Sequence, residues 1–153
     1  LGGNLVKAAT VQVSAELTSA GNATALHGKT LMSPALGVYN YTDLNVNVAA
    51  TGYKLAFTSP GLWGVTTTAF SVLVGPAHHL RLEVAPAGGV AGRPLTTQPS
   101  VSVRDLGGNL VTTGSFVLSA RLLAAPVFGA VSATTVSGNA TFNLIVNTPA
   151  ADH

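Results

Sequence analysis

Cysteine is missing from all 153 residues, so neither disulfides nor thiol chemistry can hold or serve this chain in any compartment. Charge is nearly as scarce: seven basic and five acidic residues make 8% of the chain, against about 25% in ordinary globular domains. The surface must therefore be mostly neutral. The net charge of +2 is spread over Lys7, Lys29, Lys54, Arg81, Arg93, Arg104 and Arg121 without a cluster. Such a distribution lacks the basic patch that nucleic acid requires, and no nucleic-acid partner is expected.

Long apolar runs are also lacking. Gly, Pro, Thr, Ser and Asn interrupt every hydrophobic stretch well short of the roughly 18 residues a spanning helix needs. A soluble segment without membrane insertion is expected. No charged-then-apolar leader opens the chain, and Leu1 falls inside a motif that recurs later, so a piece of a longer protein is expected.

Catalytic groups are few. Glu16, Asp43, Glu83, Asp105 and Asp152 are the only carboxylates, and none forms a close sequence pair, whereas general acid/base chemistry needs a positioned titratable partner. Gly2-Gly3 and Gly107-Gly108 lack the following Lys-Ser/Thr of a phosphate loop and read as turns. No catalytic residue, no cofactor and no enzyme activity are expected.

Metal ligands receive the same reading. His78 and His79 are adjacent, and adjacent residues of a strand point to opposite faces, so they read as a surface pair rather than ligands of one ion. Asp105, with the carbonyls of the turn after it, offers one carboxylate to a hard cation, too few for a calcium loop. A simple Gly-Asn turn is expected there and no metal site is assigned.

What is present is repetition. The letters LGGNLV occupy Leu1–Val6 and again Leu106–Val111, and at the same offset Val13–Leu17 faces Leu118–Leu122. A period near 100 residues is far beyond the roughly 20–50 of solenoid units and close to that of a β-sandwich domain. Apolar residues alternate in Val11–Val13, Tyr53–Phe57, Leu80–Val84 and Val101–Val103, the period of half-buried strands. Between them fall the turn groups Ser59-Pro60-Gly61, Gly75-Pro76, Pro86-Ala87-Gly88-Gly89, Asp105–Asn109 and Ser137-Gly138-Asn139. An all-β chain is predicted. The core of its first half should contain Val11, Val13, Leu17, Leu44, Val46, Tyr53, Leu55, Phe57, Phe70, Val72 and Val74.

Three segments carry a resemblance. Gly52–Phe57 is similar to the Gly-x-Tyr start of a late strand, Phe70–Ala77 to a last strand running into a Gly-Pro linker, and Gln98–Asn109 to a first-strand and turn pattern. On these, the chain resembles tandem immunoglobulin-like repeats of large surface and filamentous proteins, a group that includes bacterial Ig-like and filamin-type domains. It departs from the antibody type, since no Cys pair exists and Leu55 stands where a cysteine would. The resemblance implies two β-sandwich units. Residues 1–75 would form one without its opening strands, and residues 76–153 a second without its last strands.

Accessible positions complete the reading. Asn22, Asn40 and Asn139 each begin an Asn-x-Thr glycosylation acceptor, although about two such motifs arise by chance in a chain this rich in Ser and Thr. A neutral surface needs glycans or neighbouring chains to stay soluble. Leu62 and Trp63, after Ser59-Pro60-Gly61, form either an exposed recognition tip or aromatic cover over the end of a sandwich. The expected role is a non-enzymatic structural segment of an extracellular or cell-surface repeat glycoprotein, a spacer or assembly module of a coat, hair or fibre. Its partners would be neighbouring repeats in cis, other filament subunits and glycans. An adhesin or receptor module that binds glycan or protein through loops, and an intracellular filamin-like scaffold, are the alternatives.

Overall fold

The computed structural model describes residues 3–18, 25–121 and 127–146. Among these, every regular element is a β-strand and every strand pair is antiparallel. The chain divides into two compact units, Leu1–Leu73 and Val74–His153. The expected Gly75-Pro76 junction lies just beyond that division, and the Gly75 amide donates to Asp105 Oδ2 of the second unit.

The first unit is built on β1 (Val13–Thr18), which pairs with β2 (Leu31–Met32) on one edge and with β3 (Ala50–Thr58) on the other. The long β3 also pairs with β4 (Val65–Thr66) and β5 (Phe70–Val72). Register sets the faces. Ala15 lies opposite Phe57 and Leu17 opposite Leu55, so these apolar side chains share one side with Val13 and Tyr53, while Glu16, Thr18 and Lys54 are exposed on the other. Tyr53 and Ala15 are buried, and Val13, Leu17, Leu44, Val46, Leu55, Phe57, Phe70 and Val72 are half-buried.

Two expected core residues are not in the core. Val11 is 42% exposed and Val74 is 46% exposed. Alternation in the sequence extends both strands too far: β1 begins only at Val13 and β5 ends at Val72.

In the second unit, β7 (Ser100–Arg104) is flanked by β6 (His79–Val84) and β11 (Asn139–Thr141). Two further pairs, β8 (Val117–Ser119) with β10 (Ser132–Thr134) and β9 (Val127–Ala130) with β12 (Asn143–Val146), complete it. Val103, Val111, Ala140, Phe142 and Leu144 are its buried apolar residues. Where regular pairing stops, Gln98 substitutes for a strand: its Oε1 accepts from the Leu144 amide at 2.7 Å and its Nε2 donates to the Leu144 carbonyl at 3.1 Å.

One turn occurs in similar form in both units. In both units a two-residue hairpin loop has positive φ at both central positions, Leu36 (51°) and Gly37 (78°) in one, Ser137 (48°) and Gly138 (79°) in the other. This is the type I′ geometry, whose twist matches that of the flanking strands. A Cβ on Gly37 would overlap the Val6 carbonyl, and one on Gly138 would overlap the Val111 carbonyl. Val6 and Val111 are the last letters of the two LGGNLV motifs. Each motif therefore supplies the surface against which its own unit seats a glycine turn.

Candidate functional site

The Leu62 and Trp63 tip is placed by local chemistry. Pro60 fixes φ and Gly61 takes φ +75°, the arrangement of a type II turn, closed by the Leu62 amide donating to the Ser59 carbonyl at 3.2 Å. The chain then leaves the turn with Leu62 57% exposed and Trp63 fully exposed. Trp63 does not serve as cover over the core. The turn ends before β4 begins at Val65, so the indole precedes the ladder and no strand lies over it.

Beside it lies an open groove of about 450 Å³, lined among others by Val38, Tyr39, Tyr41, Phe57, Leu62 and Trp63. The tyrosines are anchored at their polar ends. Tyr39 Oη donates to the Val11 carbonyl at 2.8 Å and Tyr41 Oη to the Val13 carbonyl at 2.7 Å. These bonds occupy the hydroxyls and hold the rings against the start of β1 and the segment just before it. Burial pushes the Tyr41 phenol above its usual range, and the neighbouring Tyr39 adds to the shift. Tyr41 also packs on Phe57 with ring centroids 5.3 Å apart and planes tilted by 49°. No charged residue lines this groove, so it suits a neutral ligand with a flat apolar face.

The glycosylation acceptors are accessible where they are described. Asn40 and Thr42 are exposed and follow the Leu36-Gly37 turn. Asn139 and Thr141 are exposed on β11, with Asn139 directly after Gly138 and its Nδ2 donating to the Ser137 carbonyl at 3.2 Å. Asn22 lies outside the described residues. Two acceptors thus follow the same kind of turn in the two units.

Asp105 is buried inside its turn. Its Oδ1 accepts from the Asn109 amide at 2.8 Å and its Oδ2 from the Gly75 amide at 2.8 Å, while Asn109 Nδ2 donates to both oxygens. Burial alone would raise its pKa, yet the bonds from Asn109, Gly75 and Gly107 outweigh it and hold the carboxyl below its usual range. The carboxylate organises the turn and faces N–H donors of its own chain.

Two features escaped the sequence reading. On the polar face of β6 and β7, Ser102 is fully buried beneath its neighbours. Its hydroxyl donates to Glu83 Oε1 at 2.6 Å and accepts from Arg104 Nε at 2.9 Å, while Arg104 Nη2 meets Glu83 at 2.6 Å. The Ser102 hydroxyl, and after it the Arg104 guanidinium, hold the Glu83 carboxyl below its usual range. Arg-x-Glu in one strand and Ser-x-Arg in the next were the available signal, since alternate residues share a face.

The second is the histidine pair. His78 Nδ1 and His79 Nδ1 lie 3.4 Å apart with ring planes at 79°, so the rings converge instead of parting to opposite faces. The strand rule fails because β6 begins at His79 and His78 precedes the pleat. Among the described residues, no group of three or more His, Asp or Glu side chains gathers for a metal, and no helix is long and apolar enough to cross a membrane. Compared with protein-family models, curated proteins and solved structures, the chain matches none.

Proposed function

We propose that the chain is a non-enzymatic structural segment of a large extracellular tandem-repeat protein, whose two immunoglobulin-like units serve as spacer or assembly module of a surface coat, hair or fibre. The observation that carries this reading is the duplicated device, Gly37 over Val6 and Gly138 over Val111. The same glycine turn seated on the last residue of the same motif in both units favours a repeat array. Tyr53 supports the immunoglobulin-like assignment. It is buried in the first half of β3 and its Oη donates to the Val48 carbonyl five residues upstream at 3.0 Å, similar to a tyrosine corner. Three of the carboxylates, Asp43, Glu83 and Asp105, accept hydrogen bonds within the fold, which favours architectural over acid/base roles.

The partners proposed are neighbouring repeats in cis and other copies in a filament. The supporting surface is β6, exposed along its whole length with Leu80 and Leu82 each 56% exposed. Those two leucines border an apolar groove of about 500 Å³ shared with Val101, Leu118, Phe142 and Leu144. Such a face in a low-charge protein suits burial against another protein surface. Glycopeptide mass spectrometry of native material tests the extracellular placement: sugar on Asn40 or Asn139 supports it, and three bare acceptors argue for a filamin-like intracellular scaffold.

The exposed Trp63 beside Tyr39 and Tyr41 favours a second reading, a recognition module for neutral glycan or protein. Tryptophan fluorescence separates the two. A saturable shift on titration with neutral oligosaccharides, lost in Trp63→Ala, would establish recognition, while a flat titration leaves the structural reading.

A further inference from the structure

We infer that His78 and His79 form a bidentate imidazole clamp for a divalent transition-metal ion, with copper(II) held most tightly. The two Nδ1 atoms lie 3.4 Å apart. Two nitrogens bound at about 2.0–2.1 Å to one tetrahedral ion stand about 3.3–3.4 Å from each other. That is the tetrahedral spacing; in the square-planar arrangement that copper(II) prefers, neighbouring nitrogens stand about 2.9 Å apart, so the two exposed rings close by about 0.5 Å to take it. The two ring nitrogens are within hydrogen-bond reach of each other, with the donor and acceptor roles set by the tautomers.

The local backbone explains the convergence. Pro76 restricts the chain just before the pair, and the His78 amide donates to the Arg104 carbonyl at 2.8 Å. This bond pins His78 beside β7 before the pleat starts at His79. Sequential ligands usually lose an entropy of ordering on binding, whereas these rings already share an edge-to-face contact with centroids 5.7 Å apart.

Electrostatics does not oppose a cation here. Arg104, directly opposite His79 in the ladder, has its guanidinium engaged by Glu83 and Ser102. Both histidines are exposed, so solvent reaches the ion and water fills its remaining positions. Imidazole suits zinc, copper and nickel, and at a site that does not select by geometry the order of affinity places copper(II) highest. A pair with no third His, Asp or Glu ligand among the described residues is a surface metal-binding site rather than a structural zinc centre.

The test is calorimetric titration of the 153-residue chain with copper(II) chloride at neutral pH in a non-coordinating buffer, since the imidazoles must be deprotonated to bind. One equivalent should bind, with electron paramagnetic resonance showing nitrogen coordination. Outer-shell partners alone are worth about 10–100-fold in metal affinity, so His78→Ala and His79→Ala should each weaken binding by at least ~10-fold. Far-UV circular dichroism should remain unchanged, because both side chains are exposed. His27→Ala should keep the native affinity. Absence of saturable binding, or full affinity retained in the His78→Ala, His79→Ala double variant, would overturn the clamp.

Discussion

Two glycines of the second unit separate conformational strain from steric overlap. Gly108 (φ +85°) has open space where a Cβ would stand, whereas a Cβ on Gly138 (φ +79°) would overlap the Val111 carbonyl and crowd Leu110. An alanine in the left-handed region costs about 1–2 kcal/mol. Gly108→Ala should lower the stability of the second unit by about that amount in urea unfolding, and Gly138→Ala by clearly more, because backbone must move as well. Equal losses would place the Gly138 turn elsewhere. Asp105 gives a pH prediction at the same scale. Its folded pKa lies below the usual value, so its stabilisation is complete above about pH 4 and declines as pH falls through the depressed folded value. Hydrogen bonds to a charged group contribute about 1.5–3 kcal/mol. Asp105→Ala should reduce stability at pH 7 by about that much and flatten the acid limb, which urea midpoints between pH 2 and 7 (a range set around the ordinary carboxylate pKa of about 4) would show.

Strand edges decide more than strand interiors in this fold. β3 is paired on both edges, with β1 and with β4 and β5, and carries Tyr53, the most buried aromatic among the described side chains. By contrast, β6 is paired only with β7 among the described residues, and all six of its residues are exposed. A substitution at an exposed position away from special geometry usually changes stability within about 0.5 kcal/mol. Leu82→Lys should therefore leave the melting temperature nearly unchanged. If the open face is an assembly surface, the same change should abolish concentration-dependent association in sedimentation velocity. An early melt in Leu82→Lys would instead show that this side chain is core.

The molecule as a whole is two small cores carried by one chain, and each holds its own copy of the glycine turn. Units with separate cores should respond separately to damage. Gly37→Ala should lower one calorimetric transition and Gly138→Ala the other, with the double variant showing the sum, as sites without shared partners add. A single transition that both substitutions shift equally would show one cooperative body. The same scale frames the proposed role, since spacers in an array need domains that survive the loss of a neighbour.

Local pattern was enough for the strands around Tyr53–Phe57, Leu80–Val84 and Val101–Val103 and for the turns at Pro60-Gly61, Asp105–Asn109 and Ser137-Gly138. Side-chain alternation and positive φ depend only on a residue and its immediate neighbours, so they can be read in one dimension. The duplicated LGGNLV was equally visible, although its contact with a glycine 31 residues downstream in one unit and 27 in the other was not. Tertiary structure alone decided which half-buried strand is covered. The alternation of His79–Val84 is as regular as that of Ala50–Thr58, yet one strand is exposed throughout and the other holds Tyr53 in the core. It also brought Tyr39 and Tyr41 beside Trp63, joined Glu83 to Ser102 and Arg104, and turned His78 toward His79. Burial and convergence of this kind are set by which distant segment lies alongside, and no window of neighbouring residues contains that information.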